Sequence, residues 1–240
     1  MSAPTVVRRP RRLLPKLLRV GSRGIFGTLG IRLRVRGVIP REPALLVANH
    51  LSWTDIVAVL ATHECTFVAK REVRRWPVVG WLATHLGVIW TDRTRSRSLL
   101  RTIADIEATL RGGTSVLMFA EGTTGDGTQL LPFKSSLIEA ACRAGAPVVP
   151  LAITATALPP VDALCWVGDE TLLQSIPRVQ RLSMPEVQLH AAPPIAPVSC
   201  RKVLTQMARD AVARRTRGGA IRARDRARSD ATVRVSAALS

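Results

Sequence analysis

The chain has 240 residues, 47% of them hydrophobic, and a formal charge of +18 with no tyrosine. That length and apolar content suit one domain with tails and exclude a disordered polyampholyte. Ten basic residues and no acid fall in 1–36, and eleven basic residues against Asp210, Asp225 and Asp230 fall in 201–240. The stretch between, 37–200, is neutral, with fourteen of each sign. Basic ends on a neutral body suit attachment to a polyanion, either an anionic lipid surface or nucleic acid.

Taken in chain order, residues 10–23 outline a basic amphipathic helix. Arg12, Lys16, Arg19 and Arg23 share one side, and Leu13, Leu14, Leu17, Leu18 and Gly21 the other. Such a helix lies in a bilayer interface or packs as an ordinary surface helix, and Pro15 and Gly21 weaken it. Residues 1–30 therefore read as a membrane-associating segment. Period-two alternation over Ile31–Arg36 predicts a half-exposed strand, and Ala44–Ala48 a buried one. A helix follows over Trp53–Ala61, a strand over Thr66–Ala69, a helix over Val78–His85 and a strand over Val88–Thr91. Next come a long helix from Ser96 to Leu110, a strand over Ser115–Ala120, and a helix over Ser136–Ala144 stopped by Gly145. Val148–Ile153 reads as a strand, Thr171–Ile176 as a short helix, Val187–Ala191 as a strand and Ser199–Arg217 as a terminal helix. Residues 218–240, rich in Arg, Ala and Ser, read as a disordered basic tail. Strands alternating with helices imply an α/β architecture over 31–217.

No secretory signal is read at the N-terminus, and the longest uncharged stretch, Ala144–Val161, is interrupted by four prolines. The four cysteines are widely spaced, without Cys-x-x-Cys, which speaks against a disulfide framework or a zinc site. They read as small buried hydrophobes. No metal site is expected.

Four short motifs stand at predicted strand ends, where α/β folds place their sites. The first is Asn49-His50-Leu51-Ser52-Trp53-Thr54-Asp55. Residues five apart on a continuous helix lie about 140° apart, so His50 and Asp55 meet only if His50 precedes the helix and folds back. The carboxylate would then accept Nδ1–H and leave Nε2 as the proton acceptor. A plainer reading competes: Ser52-x-x-Asp55 resembles a capping box. Both fit together, since a carboxylate has two oxygens. His63, His85 and His190 have no such partner nearby and read as surface or helix-end residues.

The second motif, Gly87–Arg93, ends in Asp92-Arg93. The third is Phe119-Ala120-Glu121-Gly122-Thr123-Thr124, and the fourth Val149-Pro150-Leu151-Ala152. Glu121, Gly122 and Thr123 suit binding of substrate hydroxyls or phosphate, or form an ordinary turn. Arg93 after a strand and Lys134 before a helix suit an anionic group, or are solvated charge.

In this order the motifs resemble the lysophospholipid acyltransferase family, typified by 1-acylglycerol-3-phosphate acyltransferases with their Asn-His-x4-Asp hallmark. The likeness spans about Val35 to Pro197. It implies a single domain with a mixed central sheet flanked by helices. It also implies direct acyl transfer from acyl-CoA or acyl carrier protein to a lysolipid hydroxyl, without a cofactor. His50 and Asp55 would be catalytic, and Arg93, Glu121, Gly122, Thr123 and Lys134 would bind substrate. Ala120 stands where the family usually has Pro, and Thr124 where it often has the Arg thought to hold the acceptor phosphate. The block from Glu121 to Ser136, and Trp166 to Glu170, look like a bacterial branch that also includes lyso-ornithine lipid acyltransferases. The expected acceptor is 1-acylglycerol 3-phosphate, giving phosphatidate, with lyso-ornithine lipid as the alternative. The enzyme is expected on the cytoplasmic face of the inner membrane, peripheral or monotopic. The intact His50 and Asp55 argue against a catalytically silent lipid binder. Against a nucleic-acid binder stand the neutral centre, the scarcity of aromatics and the lack of a zinc-finger or RNP signature.

Overall fold

The computed structural model describes residues 14–76, 79–92, 96–158, 164–166 and 172–216. Arg93, the first thirteen residues and the basic tail lie outside them. The elements are α1 (Leu14–Thr28), β1 (Arg32–Arg36), β2 (Leu45–Ala48), α2 (Thr54–Leu60), β3 (Cys65–Lys70), a 3-10 turn (Arg71–Arg75), α3 (Val79–His85) and β4 (Ile89–Thr91). Then follow α4 (Ser96–Arg111), β5 (Ser115–Phe119), α5 (Glu139–Ala144), β6 (Val148–Leu158), α6 (Leu172–Gln180), β7 (Ser183–Ala191) and a helix over 201–216, here α7.

Seven strands form one mixed sheet in the order β1-β7-β6-β2-β5-β3-β4. The run from β6 through β2, β5 and β3 to β4 is parallel; β7 is antiparallel to β6 and parallel to β1. The expected mixed sheet flanked by helices is what the chain adopts. At the centre, β2 and β5 are buried along their whole length, as strands covered on both faces must be. Alternate side chains serve two cores. Leu46, Ala48 and Leu117 join Phe26 of α1, Ala58 and Val59 of α2 and Val179 of α6. Leu45, Val47, Val116 and Met118 join Ile103 and Ile106 of α4, Ala140 and Ala141 of α5 and Leu204 of α7. Thus β2 leads into a helix on one face, whereas its neighbour β5 leads to a helix on the other. Adjacent strands whose connections leave to opposite faces open a crevice at their carboxyl ends.

Several elements differ from expectation. Strand β6 runs on to Leu158 because Thr154, Ala155 and Thr156 pair with Gln188, Val187 and Glu186 of β7, a ladder that no apolar run announces. Helix α5 starts three residues later than expected, at Glu139. The 3-10 turn was not foreseen, and α3 packs so tightly on it that a Cβ at Gly80 would stand 2.2 Å from the Arg74 carbonyl oxygen. His190 lies within β7, and His63 is half-buried against Ser115, with burial and Arg19 lowering its pKa. Of the cysteines, Cys165 is buried but Cys200 is exposed.

Candidate active site

The crevice at the ends of β2 and β5 holds the first and third motifs, whereas the second lies at β4 and the fourth within β6. β2 ends at Ala48, and the main chain turns before α2 begins at Thr54. His50 stands in that turn, so its ring folds back over the first helical residues. His50 Nδ1 lies 2.8 Å from Asp55 Oδ2. Asp55 is 1% exposed, while the His50 side chain keeps 17% of its surface open. The imidazole stacks on Phe119, the last residue of β5, with centroids 3.8 Å apart and planes at 14°. That packing and the carboxylate together fix the ring's orientation. With Asp55 ionised, Nδ1 carries the proton and Nε2 presents the lone pair.

Asp55 also takes the cap role, though not as expected. The same oxygen, Oδ2, accepts main-chain N–H groups of Leu51 at 2.6 Å and Ser52 at 2.9 Å as well as the imidazole. The Ser52 bond is half of a capping box. The reciprocal half is absent: Ser52 Oγ is 3.5 Å from the Thr54 nitrogen, and the residue at the helix start, Trp53, makes no side-chain cap. Three donors thus converge on this one buried oxygen.

Asn49, buried at 3%, works on the other side of β2. Its amide donates to the Ile153 carbonyl at 2.9 Å and accepts the Ile153 N–H at 2.8 Å. The side chain thereby continues the β2–β6 ladder one step past the end of the strand. It holds the turn carrying His50 against β6.

Glu121 follows β5 and is 5% exposed. Its Oε2 accepts the His50 N–H at 2.7 Å and its Oε1 the Leu131 N–H at 2.8 Å. Burial raises its pKa, and the Asp55 charge adds to that; the two N–H donors and His50 pull the other way. Gly122 turns the chain at φ +79°, a conformation strained for residues with a Cβ. Thr123 is exposed, and so is Lys134, whose N–H donates to the Ala120 carbonyl at 2.8 Å. The loop between them passes under His50, where the Gly125 N–H donates to the His50 carbonyl at 2.8 Å. Leu51 is tied to the segment 164–166, its carbonyl accepting the Trp166 N–H at 2.7 Å.

The structure thus brings His50, Asp55 and Glu121 into one bonded cluster. Gly122 follows Glu121 directly, and Thr123 and Lys134 are exposed. Phe119 and Asn49 were not assigned roles in advance. Both stand inside the quoted motifs, so position at a strand end was the available signal.

The acyltransferase family model matches residues 31–154, about half of the chain. A lyso-ornithine lipid O-acyltransferase of Pseudomonas aeruginosa is 37% identical over 174 residues, which cover 71% of this chain and 66% of that protein. One of Rhizobium meliloti is 41% identical over 57% of this chain and 46% of its own length. A 1-acyl-sn-glycerol-3-phosphate acyltransferase of Neisseria meningitidis is 37% identical over 55% of this chain and 52% of its own. The matches therefore span between about half and two thirds of these relatives. The crystal structure of the 1-acyl-sn-glycerophosphate (LPA) acyltransferase of Thermotoga maritima superposes with a TM-score of 0.67 at 23% identity, over 85% of this chain and 79% of that one. At that identity the likeness is one of fold. With the matched region holding both halves of the His50–Asp55 pair and Glu121, this chain belongs to the acyltransferase family.

Proposed function

We propose that the protein transfers a fatty acyl group from a thioester donor, acyl-CoA or acyl carrier protein, to the hydroxyl of a lysolipid. The observation that carries this reading is the 2.8 Å contact between His50 Nδ1 and buried Asp55, with the ring left partly open at the crevice. In this reading Nε2 takes the hydroxyl proton as the oxygen attacks the thioester carbonyl. The C–O bond forms, the C–S bond breaks, and the departing thiolate recovers the proton from the imidazolium. Asp55 stabilises that imidazolium and holds the tautomer. General-base action of this kind contributes about 10²–10⁴-fold. No acyl-enzyme intermediate and no cofactor are required.

Arg93 and Lys134 are proposed to hold an anionic part of donor or acceptor. The acceptor read from the motifs is 1-acylglycerol 3-phosphate. Two observations favour lyso-ornithine lipid instead: Thr124 in place of a phosphate-holding Arg, and several relatives that bear that name.

Peripheral attachment to the cytoplasmic leaflet fits both acceptors. No helix among the described residues is long and apolar enough to cross a membrane. Helix α1 buries Ser22 and Phe26 against the domain, and two of its arginines reach the segment after α2: Arg19 pairs with Glu64 at 3.4 Å and Arg23 bonds the Ala61 carbonyl at 3.2 Å. Leu17, Val20 and Ile25 stay exposed, at 66%, 69% and 42%. That apolar face, with basic residues at both chain ends, suits an anionic interface.

The test is a head-group screen with purified protein. Lysophosphatidate, glycerol 3-phosphate and lyso-ornithine lipid are each offered with acyl-CoA and acyl carrier protein. Transfer to a lysolipid, lost in His50→Ala, is expected; no transfer to any of them, or transfer indifferent to that substitution, overturns the reading. Co-sedimentation with anionic but not zwitterionic vesicles is the matching test of attachment.

A further inference from the structure

Glu121 is a buried acid that the proposed proton transfer does not use. Each oxygen of Glu121 accepts a main-chain N–H, from His50 and from Leu131, so both ends of the carboxylate are engaged with backbone. The same segment reaches His50 a second time, through the Gly125 N–H and the His50 carbonyl. The two peptide groups flanking the His50 Cα are therefore both held by residues 121–131. Asp55 then fixes the ring.

We propose that Glu121 is a positioning residue: it fastens the main chain of His50 to the 125–131 loop, so that the loop and the imidazole move as one unit. The proposal rests on His50 being the base. A carboxylate suits the task because two donors converge on two acceptor oxygens. Glutamine has one oxygen and one NH₂, so one of the two N–H groups would face another donor. The arrangement also disfavours direct contact with an acceptor phosphate, which a carboxylate repels.

The experiment compares the full chain with Glu121→Gln by hydrogen exchange and steady-state kinetics. Exchange is expected to rise together in peptides covering 49–52 and 125–131. A misplaced base lowers kcat by about 10²-fold. KM for the lysolipid should stay within about threefold, since no ground-state contact is lost. A KM rise of about tenfold or more with kcat and exchange unchanged would mark a substrate contact and overturn the proposal. Leu131→Pro, which deletes one donor and leaves Glu121 intact, guards against a Gln variant that fails to fold. It should raise exchange at 49–52, and unchanged exchange there counts against the link. If the wild-type chain transfers no acyl group, the exchange measurements still decide the positioning role, so failure of the enzyme assignment is distinguishable.

Discussion

The ends of β2 and β5 are neighbours in the sheet but are built in opposite ways. At the end of β2 the key bond joins residues five apart, His50 and Asp55, and is closed by one turn entering a helix. At the end of β5, Glu121 reaches across 71 residues to His50 and across ten to Leu131, and both partners are main chain. Local bonds between side chains leave a spacing that sequence displays. Bonds from a side chain to distant backbone leave none, because every non-proline residue carries the same N–H. The first arrangement supplies the proposed chemistry and the second its placement.

The sharpest way to break this contrast is to remove the imidazole. His50→Ala should abolish transfer in the head-group assay while the melting temperature stays close to wild type, since the ring is at the crevice rather than in either core. Next comes Asp55→Asn. If the carboxylate only caps α2, the cost is about 1 kcal/mol or less and most activity survives. If it holds the tautomer, kcat falls by about 10³–10⁴-fold, as expected for an orienting carboxylate. The second outcome is expected, together with a stability loss of about 1–3 kcal/mol from disturbed bonds to Leu51 and Ser52.

Asn49→Ala probes the far side of the same turn. It strips Ile153 of both buried partners, so denaturant unfolding should report a loss of about 1–3 kcal/mol. A loss of activity beyond the loss of folded protein would extend the positioning role to β6.

The smallest effect is pH-dependent and belongs to β5. Because burial raises the Glu121 pKa above its ordinary 4.5, the folded state binds that proton more tightly than the unfolded one. Stability contributed at Glu121 should therefore fall as pH rises from about 4.5 through the raised value, then level off. Melting temperatures of wild type and Glu121→Gln between pH 4 and 7 test this: the wild-type advantage should shrink with rising pH. A widening advantage would mean that the two N–H donors outweigh burial.

Much of the architecture was legible. The alternation in Arg32–Arg36, the apolar runs of β2 and β5 and the glycine stop after α5 all placed elements within a few residues of where they lie. The extension of β6 was not, because Thr154-Ala155-Thr156 becomes strand only by pairing with β7. The outward face of α1 was left open between a bilayer-facing and a domain-packed helix; Arg19 and Arg23 bond Glu64 and the Ala61 carbonyl, while Leu17 and Val20 stay exposed.

From the order of residues alone came the α/β class and the neutral body between basic ends, which depend on period and composition that a linear string preserves. The spacing of His50 and Asp55 allowed either a pair or a helix cap, and the ordered motifs that resemble the family singled out the pair. Which side of α1 faces out, the single oxygen shared by three donors at Asp55, and the grip of Glu121 on the His50 main chain depended on packing. Those are contacts between segments far apart in the chain, and they exist only once β5 has inserted beside β2 and brought its carboxyl end to the same crevice.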